Sequence, residues 1–256
     1  MNLERYDEKL KKSNIWVMPF TSQFMFDCFL GKNFAKDILP DILNILRDEN
    51  SQNYSDQLAG QLISGKQIQI KEEQYTPKIN KLKDVIEDIS LSYVKRWFEL
   101  AYGSGTAHGG SFKGRVKLSE FWINEQLPND YNPLHCHSTK STSGLSGVIY
   151  LKEPDYVERG IGPYGDKETN TAGKIQVLFG TNILPDINTF KLTEHFIFDS
   201  TPGRLILFPV NQPHQVDPFR GKGSRICLAF NVSVIPGQKG ITPWADTLID
   251  IAQQGK

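Results

Sequence analysis

The second half of the chain most constrains what it can fold into, because short β-branched and aromatic runs there alternate with Gly, Pro, Asn and Asp. Val116 to Ile123, Leu145 to Leu151, Ile175 to Phe179, His195 to Phe198, Arg204 to Pro209 and Arg225 to Val234 each read as a strand bounded by turn formers. Strands this short cannot bury their apolar faces singly. They must close on one another as a sandwich or barrel.

The first half follows a different grammar. Phe34, Ile38, Ile42, Ile45 and Leu46 fall on one helical face, interrupted by Pro40, which removes a backbone donor in mid-pattern. From about Asn80 to Tyr102 a longer helix is expected, with Leu82, Val85, Ile86, Ile89, Tyr93, Val94, Trp97 and Phe98 forming its buried stripe. Both stripes are packing faces. Ile15 to Phe20 reads as an early strand. Gly103 to Gly114 is Gly/Ser-rich, but no Lys-Ser/Thr pair follows it, so it reads as a turn or loop and not as a phosphate cradle.

Helices first and strands afterwards predict a helical layer packed on an all-β unit. With 256 residues, one domain is expected: 1–114 largely helical support, 115–235 the β core, and 236–256 a tail or helix. The polar, Gly-containing stretch from Asp155 to Thr171 reads as an excursion that shapes a mouth.

Twenty-nine basic residues balance 29 acidic ones, so no global field draws the protein to nucleic acid or to an anionic membrane. Cys28, Cys136 and Cys227 are few and far apart, unlike a secreted disulfide framework. Met1 to Ser13 is charged and lacks the apolar stretch of a signal peptide. A cytoplasmic location is the expectation, in a bacterium or, for a phage-encoded chain, in an infected cell.

Chemistry concentrates in two motifs. Tyr131-Asn132-Pro133-Leu134-His135-Cys136-His137 carries two imidazoles one residue apart, a spacing that puts both on one face of a plain strand. The second motif is the apolar strand Arg204 to Pro209, led by Pro202-Gly203 and followed by Val210-Asn211-Gln212-Pro213-His214, which sets His214 just beyond the strand. An antiparallel barrel can bring His135, His137 and His214 together as a facial metal site with open positions. His108 and His195, like a single histidine at any strand end, read as ordinary packing residues. Arg225 heads an otherwise apolar strand, and a buried guanidinium needs an anion; an Asp or Glu of the chain would serve.

Together these residues resemble the 2-oxoglutarate- and iron(II)-dependent oxygenases. The first histidine motif, the distal histidine after a Gly-led apolar strand, and an Arg some ten positions beyond it carry the likeness over Val116 to Val234. Asn132 to Pro154, Gly203 to His214 and Arg225 to Asn231 are similar to a bacterial and phage branch related to prolyl 4-hydroxylases. The resemblance implies a mainly β fold, a double-stranded β-helix of the jelly-roll or cupin kind supported by N-terminal helices. It implies iron(II), 2-oxoglutarate as cosubstrate and dioxygen, and a peptide, protein side chain or small molecule as the substrate to be hydroxylated. His135 and His214 would bind iron, while Arg225 and Tyr150 would meet the distal carboxylate of 2-oxoglutarate. Asn124 could face the same pocket, whereas Ser146 and Cys227 read as small packing residues.

One position departs from the family pattern. Where a carboxylate is usual after the first histidine, this chain has His137, which either supplies a third imidazole or turns away and leaves that place to water. Two rival readings remain at this point. A cupin-type three-His metal protein would use no oxo-acid, although the Glu expected shortly after the first histidine motif is missing. A non-enzymatic jelly-roll binding or structural module would bind no metal.

Overall fold

The computed structural model describes residues 16–20, 23–57, 62–102, 112–137, 144–156, 171–179 and 195–237. The first part of the chain contributes β1 (Trp16–Phe20), β2 (Gln23–Phe29), α1 (Lys32–Arg47), β3 (Lys66–Gln69) and α2 (Pro77–Tyr102). Then follow β4 (Gly114–Gln126), β5 (Asn132–His135), β6 (Gly144–Lys152), β7 (Asp155–Tyr156), β8 (Ile175–Leu178) and β9 (His195–Phe198). The last elements are β10 (Arg204–Pro209), β11 (His214–Val216), β12 (Gly221–Lys222) and β13 (Arg225–Pro236).

Two antiparallel sheets form the jelly roll. The larger runs β1-β2-β10-β6-β13-β4-β3, the smaller runs β5-β11-β8-β9, and β7 and β12 pair separately. The N-terminal part is therefore more than helical support, since β1, β2 and β3 extend both edges of the large sheet. β2 pairs with β10, and its Asp27 accepts two hydrogen bonds from Arg204, Nε at 2.8 Å and Nη2 at 2.6 Å. That bidentate pair explains why a charged residue is tolerated in the middle of the strand.

Strand alternation splits the apolar residues into two cores. Leu205, Leu207, Ile226, Leu228 and Phe230 face the helices, against Ile38 and Ile42 of α1 and Leu82 and Ile86 of α2. Their neighbours Ile206, Phe208 and Cys227 face the other way, with Val148, Tyr150, Ile175 and Val177 between the sheets. Each fully buried aliphatic side chain contributes about 1.5–3 kcal/mol relative to exposure.

α1 continues through Pro40. Pro40 is exposed, so the carbonyl it leaves unbonded can turn to water, while the buried face of Ala35, Ile38, Ile42, Ile45 and Leu46 holds the helix in place. α2 starts earlier than its apolar stripe suggests. Thr76 supplies the cap, its Oγ1 accepting from Ile79 N at 3.3 Å, and Pro77 takes the first helical position, where its missing N–H costs nothing. Trp97 at the far end of the stripe is exposed.

Gly203 is the hinge on which β10 enters the sheet. Its φ of 90° suits glycine, its N–H donates to Tyr150 O at 2.8 Å, and its own carbonyl accepts from Leu30 N at 2.7 Å. Most of the excursion expected at 155–171, the Gly-rich loop with His108, and the tail beyond 237 lie outside the described residues. Among the described residues, no helix is long and apolar enough to cross a membrane.

Candidate metal centre

The small sheet assembles the three histidines. β11 pairs antiparallel with β5 so that His214 stands directly opposite His135, and the two ring centroids are 4.2 Å apart. His214 does not merely follow a strand, as its sequence suggests; it opens one, three residues long and paired on both sides. His137 lies two residues past His135 but outside β5, so strand alternation does not place it. A hydrogen bond from His137 N to Val210 O, 2.8 Å long, folds the chain back and stacks its ring on His214, 5.2 Å away and tilted by 10°. One ligand nitrogen from each of His135, His137 and His214 lies within 4.8 Å of the other two.

Backbone carbonyls fix two of the tautomers. His135 Nδ1 is 2.7 Å from Pro133 O, and His214 Nδ1 is 2.9 Å from Gln212 O. A carbonyl only accepts, so both rings carry their proton on Nδ1 and present Nε2 as a lone pair. At His135 that lone pair accepts from Asn132 Nδ2 at 3.3 Å, the contact a metal would displace. Burial then keeps all three rings neutral. It lowers His135 and drives His214 well below the ordinary histidine value, with His135 adding to the effect on His214. His137 falls to about 4, through burial first and the neighbouring His135 second. Neutral, oriented imidazoles are the form that binds a transition metal.

The large sheet supplies the opposite wall of one cavity of about 420 Å³, which the histidines also line. Register arranges that wall in ranks, each about 7 Å from the next along the strands. Ser146, Asn231 and Glu120 stand abreast; then Val148, Ala229, Trp122 and Gln69; then Tyr150, Cys227, Asn124 and Gln67; then Arg225 and Gln126. Phe208, paired with Ser146, packs against His214 at 4.8 Å between centroids, so the histidine cluster lies toward the Ser146 end of that wall. The far end belongs to Arg225.

Arg225 is 2% exposed. Its Nη1 donates to Gly173 O at 2.8 Å, and its guanidinium lies 5.6 Å from the centre of the Tyr150 ring. Among the described residues its buried Nε has no hydrogen-bond partner, and no carboxylate forms an ion pair with it. The internal Asp or Glu that could have satisfied it is thus absent among those residues. Tyr150 is fully buried in the same cavity, and Asn124 lines it with a buried Oδ1 that meets no donor among the described residues.

All six expected site residues, His135, His137, His214, Arg225, Tyr150 and Asn124, therefore line a single cavity. Ser146 and Cys227, read as packing residues, line it too. His195 keeps its ordinary role in β9, opposite Leu178 and outside the lining. Sequence reading missed Glu120, Trp122, Gln67, Gln69 and Asn231. The signal for Asn231 was present in β13, where Arg225, Cys227, Ala229 and Asn231 alternate with the helix-facing Ile226, Leu228, Phe230 and Val232.

Comparison with known proteins follows the same stretch of chain. Residues 120–231 match the family described as "Putative 2OG-Fe(II) oxygenase". A Pseudomonas putida prolyl-4-hydroxylase aligns with 88% of this chain and 95% of its own, at 12% identity and a TM-score of 0.50. The non-heme alpha-ketoglutarate-dependent epimerase SnoN of nogalamycin biosynthesis aligns with 88% of this chain and 84% of its own, at 10% identity and a TM-score of 0.53. At such identities the shared property is the fold. A search of curated proteins gave no match.

Proposed function

We propose that the chain is a 2-oxoglutarate- and iron(II)-dependent oxygenase, the family that its residues 120–231 match, and that its cavity hydroxylates a peptide, protein side chain or small molecule. The observation that carries this reading is Arg225, a buried guanidinium with no carboxylate partner among the described residues, in the cavity that the three histidines line. A buried charge left unpaired costs several kcal/mol, so the site favours an anion that the chain itself does not provide. A cupin-like metal protein without an oxo-acid would leave Arg225 without a role.

Iron(II) with 2-oxoglutarate and dioxygen supplies the oxidation when bound, the diacid losing carbon dioxide to become succinate as a substrate C–H becomes C–OH. The chain's own residues bind and orient. His135 and His214 hold the metal through Nε2, and His137 is the third ligand. Arg225 takes the distal carboxylate of 2-oxoglutarate through charge-assisted hydrogen bonds, with the Tyr150 hydroxyl beside it. Asn124 flanks the same anion, and Val148, Phe208 and Ile175 keep water from the space between. A site of three neutral imidazoles leaves the full metal charge to attract the dianionic cosubstrate, which offsets the lost carboxylate ligand.

The fold is shared with a prolyl-4-hydroxylase and with an epimerase of nogalamycin biosynthesis, so both a peptide or protein side chain and a small molecule stand as substrate classes. The test is succinate formation. It is expected only with both iron(II) and 2-oxoglutarate present, and Arg225→Ala should raise the KM for 2-oxoglutarate by about tenfold or more, the scale of a lost charge-assisted bond. Failure to form succinate in protein that has bound iron would remove this reading.

A further inference from the structure

The cavity has a second polar feature, at the end opposite Arg225. Glu120 on β4 and Asn231 on β13 are direct cross-strand partners in the rank of Ser146, and both line the cavity. Asn231 Nδ2 donates to Glu120 Oε2 at 2.6 Å. Because a carboxylate only accepts, this bond fixes the amide orientation and leaves Asn231 Oδ1 as the other atom. Asn231 is 7% exposed, and its Oδ1 is buried without any donor among the described residues. Nor does any Lys or Arg among those residues form an ion pair with Glu120.

A carboxylate whose single donor among the described residues is the Asn231 amide thus stands next to an amide whose own oxygen meets no donor among those residues. Trp122, one rank further in on the same face of β4, and Gln69 opposite it extend the patch. An exposed carboxylate would rest in water, but this one is half-buried against a buried amide, and both residues line the cavity that the three histidines also line. The matching group carries several N–H donors and a positive charge, and an aromatic wall suits such a cation as well.

We propose that Glu120 and Asn231 form the substrate-recognition site and select a cationic nitrogen group, guanidinium or primary ammonium, on the molecule to be oxidised. The proposal rests on the oxygenase reading, which brings substrate to the histidine end of the cavity. Arg225 at the far end and Glu120 at the near end divide the cavity by charge. The cosubstrate dianion is drawn inward, and the substrate cation is held at the metal.

Calorimetry under anaerobic conditions tests this on protein loaded with iron(II) and 2-oxoglutarate, using Nα-acetylarginine amide and Nα-acetyllysine amide as probes. Nα-acetylcitrulline amide and Nα-acetylnorleucine amide are the neutral counterparts. At least one cationic probe should bind about tenfold or more tightly than its neutral counterpart, and Glu120→Gln should erase that preference. The visible iron-to-2-oxoglutarate charge-transfer band reports separately on the cosubstrate site and on folding of the variant. If the band forms but neither cationic probe binds, or neutral and cationic probes bind alike, the recognition site is refuted while the oxygenase reading stands. If Glu120→Gln keeps the band and the full preference for cations, Glu120 is not the selecting residue and the proposal fails. Absence of the band in the native protein would overturn the oxygenase reading and this proposal with it.

Discussion

His135 and His214 are direct partners across the β5–β11 pair, each with Nδ1 held by a backbone carbonyl and Nε2 directed away from it. The sheet itself sets the two rings against each other and brings a ligand nitrogen of each within 4.8 Å of the other. Loss of groups that only orient a ligand typically costs 10–100-fold in metal affinity. Replacing either ring by alanine should cost more, about 100-fold or greater, measured by competition with a chromogenic chelator. The same measurement with His195→Ala should show no change.

His137 makes the site unusual, and its consequence is electrostatic. With His137 as the proposed third ligand, three neutral ligands would leave the metal charge uncompensated until the dianion arrives, so metal and 2-oxoglutarate should strengthen each other's binding by about tenfold or more, and by the same factor in either order. In His137→Asp the metal should bind at least as well by itself and the mutual gain should shrink. His137→Ala should weaken iron binding. Unchanged iron affinity in both variants would count against ligation by His137.

The same burial predicts how the metal-free protein responds to acid. His137 in the folded state titrates near 4 against an ordinary value of 6.5, and His135 and His214 are lowered as well. Between those values the unfolded chain binds protons that the folded chain does not, so stability is complete above about pH 6.5 and declines as pH falls toward 4. Thermal unfolding between pH 7 and 5 should show a falling midpoint, with a shallower slope in His137→Gln. Saturating metal should steepen the decline, because protons then also displace the ion.

Asp130 is a structural test outside the chemistry. It is 2% exposed, and its carboxylate accepts from Ser64 N at 3.1 Å and Leu127 N at 2.9 Å, tying the turn after β4 to the segment before β3. Asp130→Ala leaves two backbone donors without this acceptor and should destabilise the fold by roughly 2–4 kcal/mol in denaturant unfolding. Asp130→Asn keeps one acceptor and should cost less.

Legibility in the sequence followed length and locality. β9 and β10 begin and end where their apolar runs do, and the helices lie where their stripes predict. β11 escaped because three residues show no period, and β3 because Lys66-Gln67-Ile68-Gln69 is mostly polar. β2 was hidden by Asp27, whose partner Arg204 lies 177 positions away. The histidine cluster could be anticipated because histidine is rare in this chain, but His137 reached it through a backbone bond to Val210 that strand periodicity does not encode. The pairing of Glu120 with Asn231 was illegible for a related reason, although strand alternation already puts Asn231 on the face of Arg225. Both are ordinary polar residues until the register of β4 against β13 sets them side by side.

The central claim is that Arg225 and the three histidines hold the two ends of one molecule of 2-oxoglutarate. Anaerobic titration of 2-oxoglutarate into the iron(II)-loaded protein, followed in the visible range, tests it most directly. The claim predicts a saturable charge-transfer band whose midpoint shifts to about tenfold or higher 2-oxoglutarate in Arg225→Ala. An iron-loaded protein with no band, or an Arg225→Ala titration that overlays the native one, would contradict it.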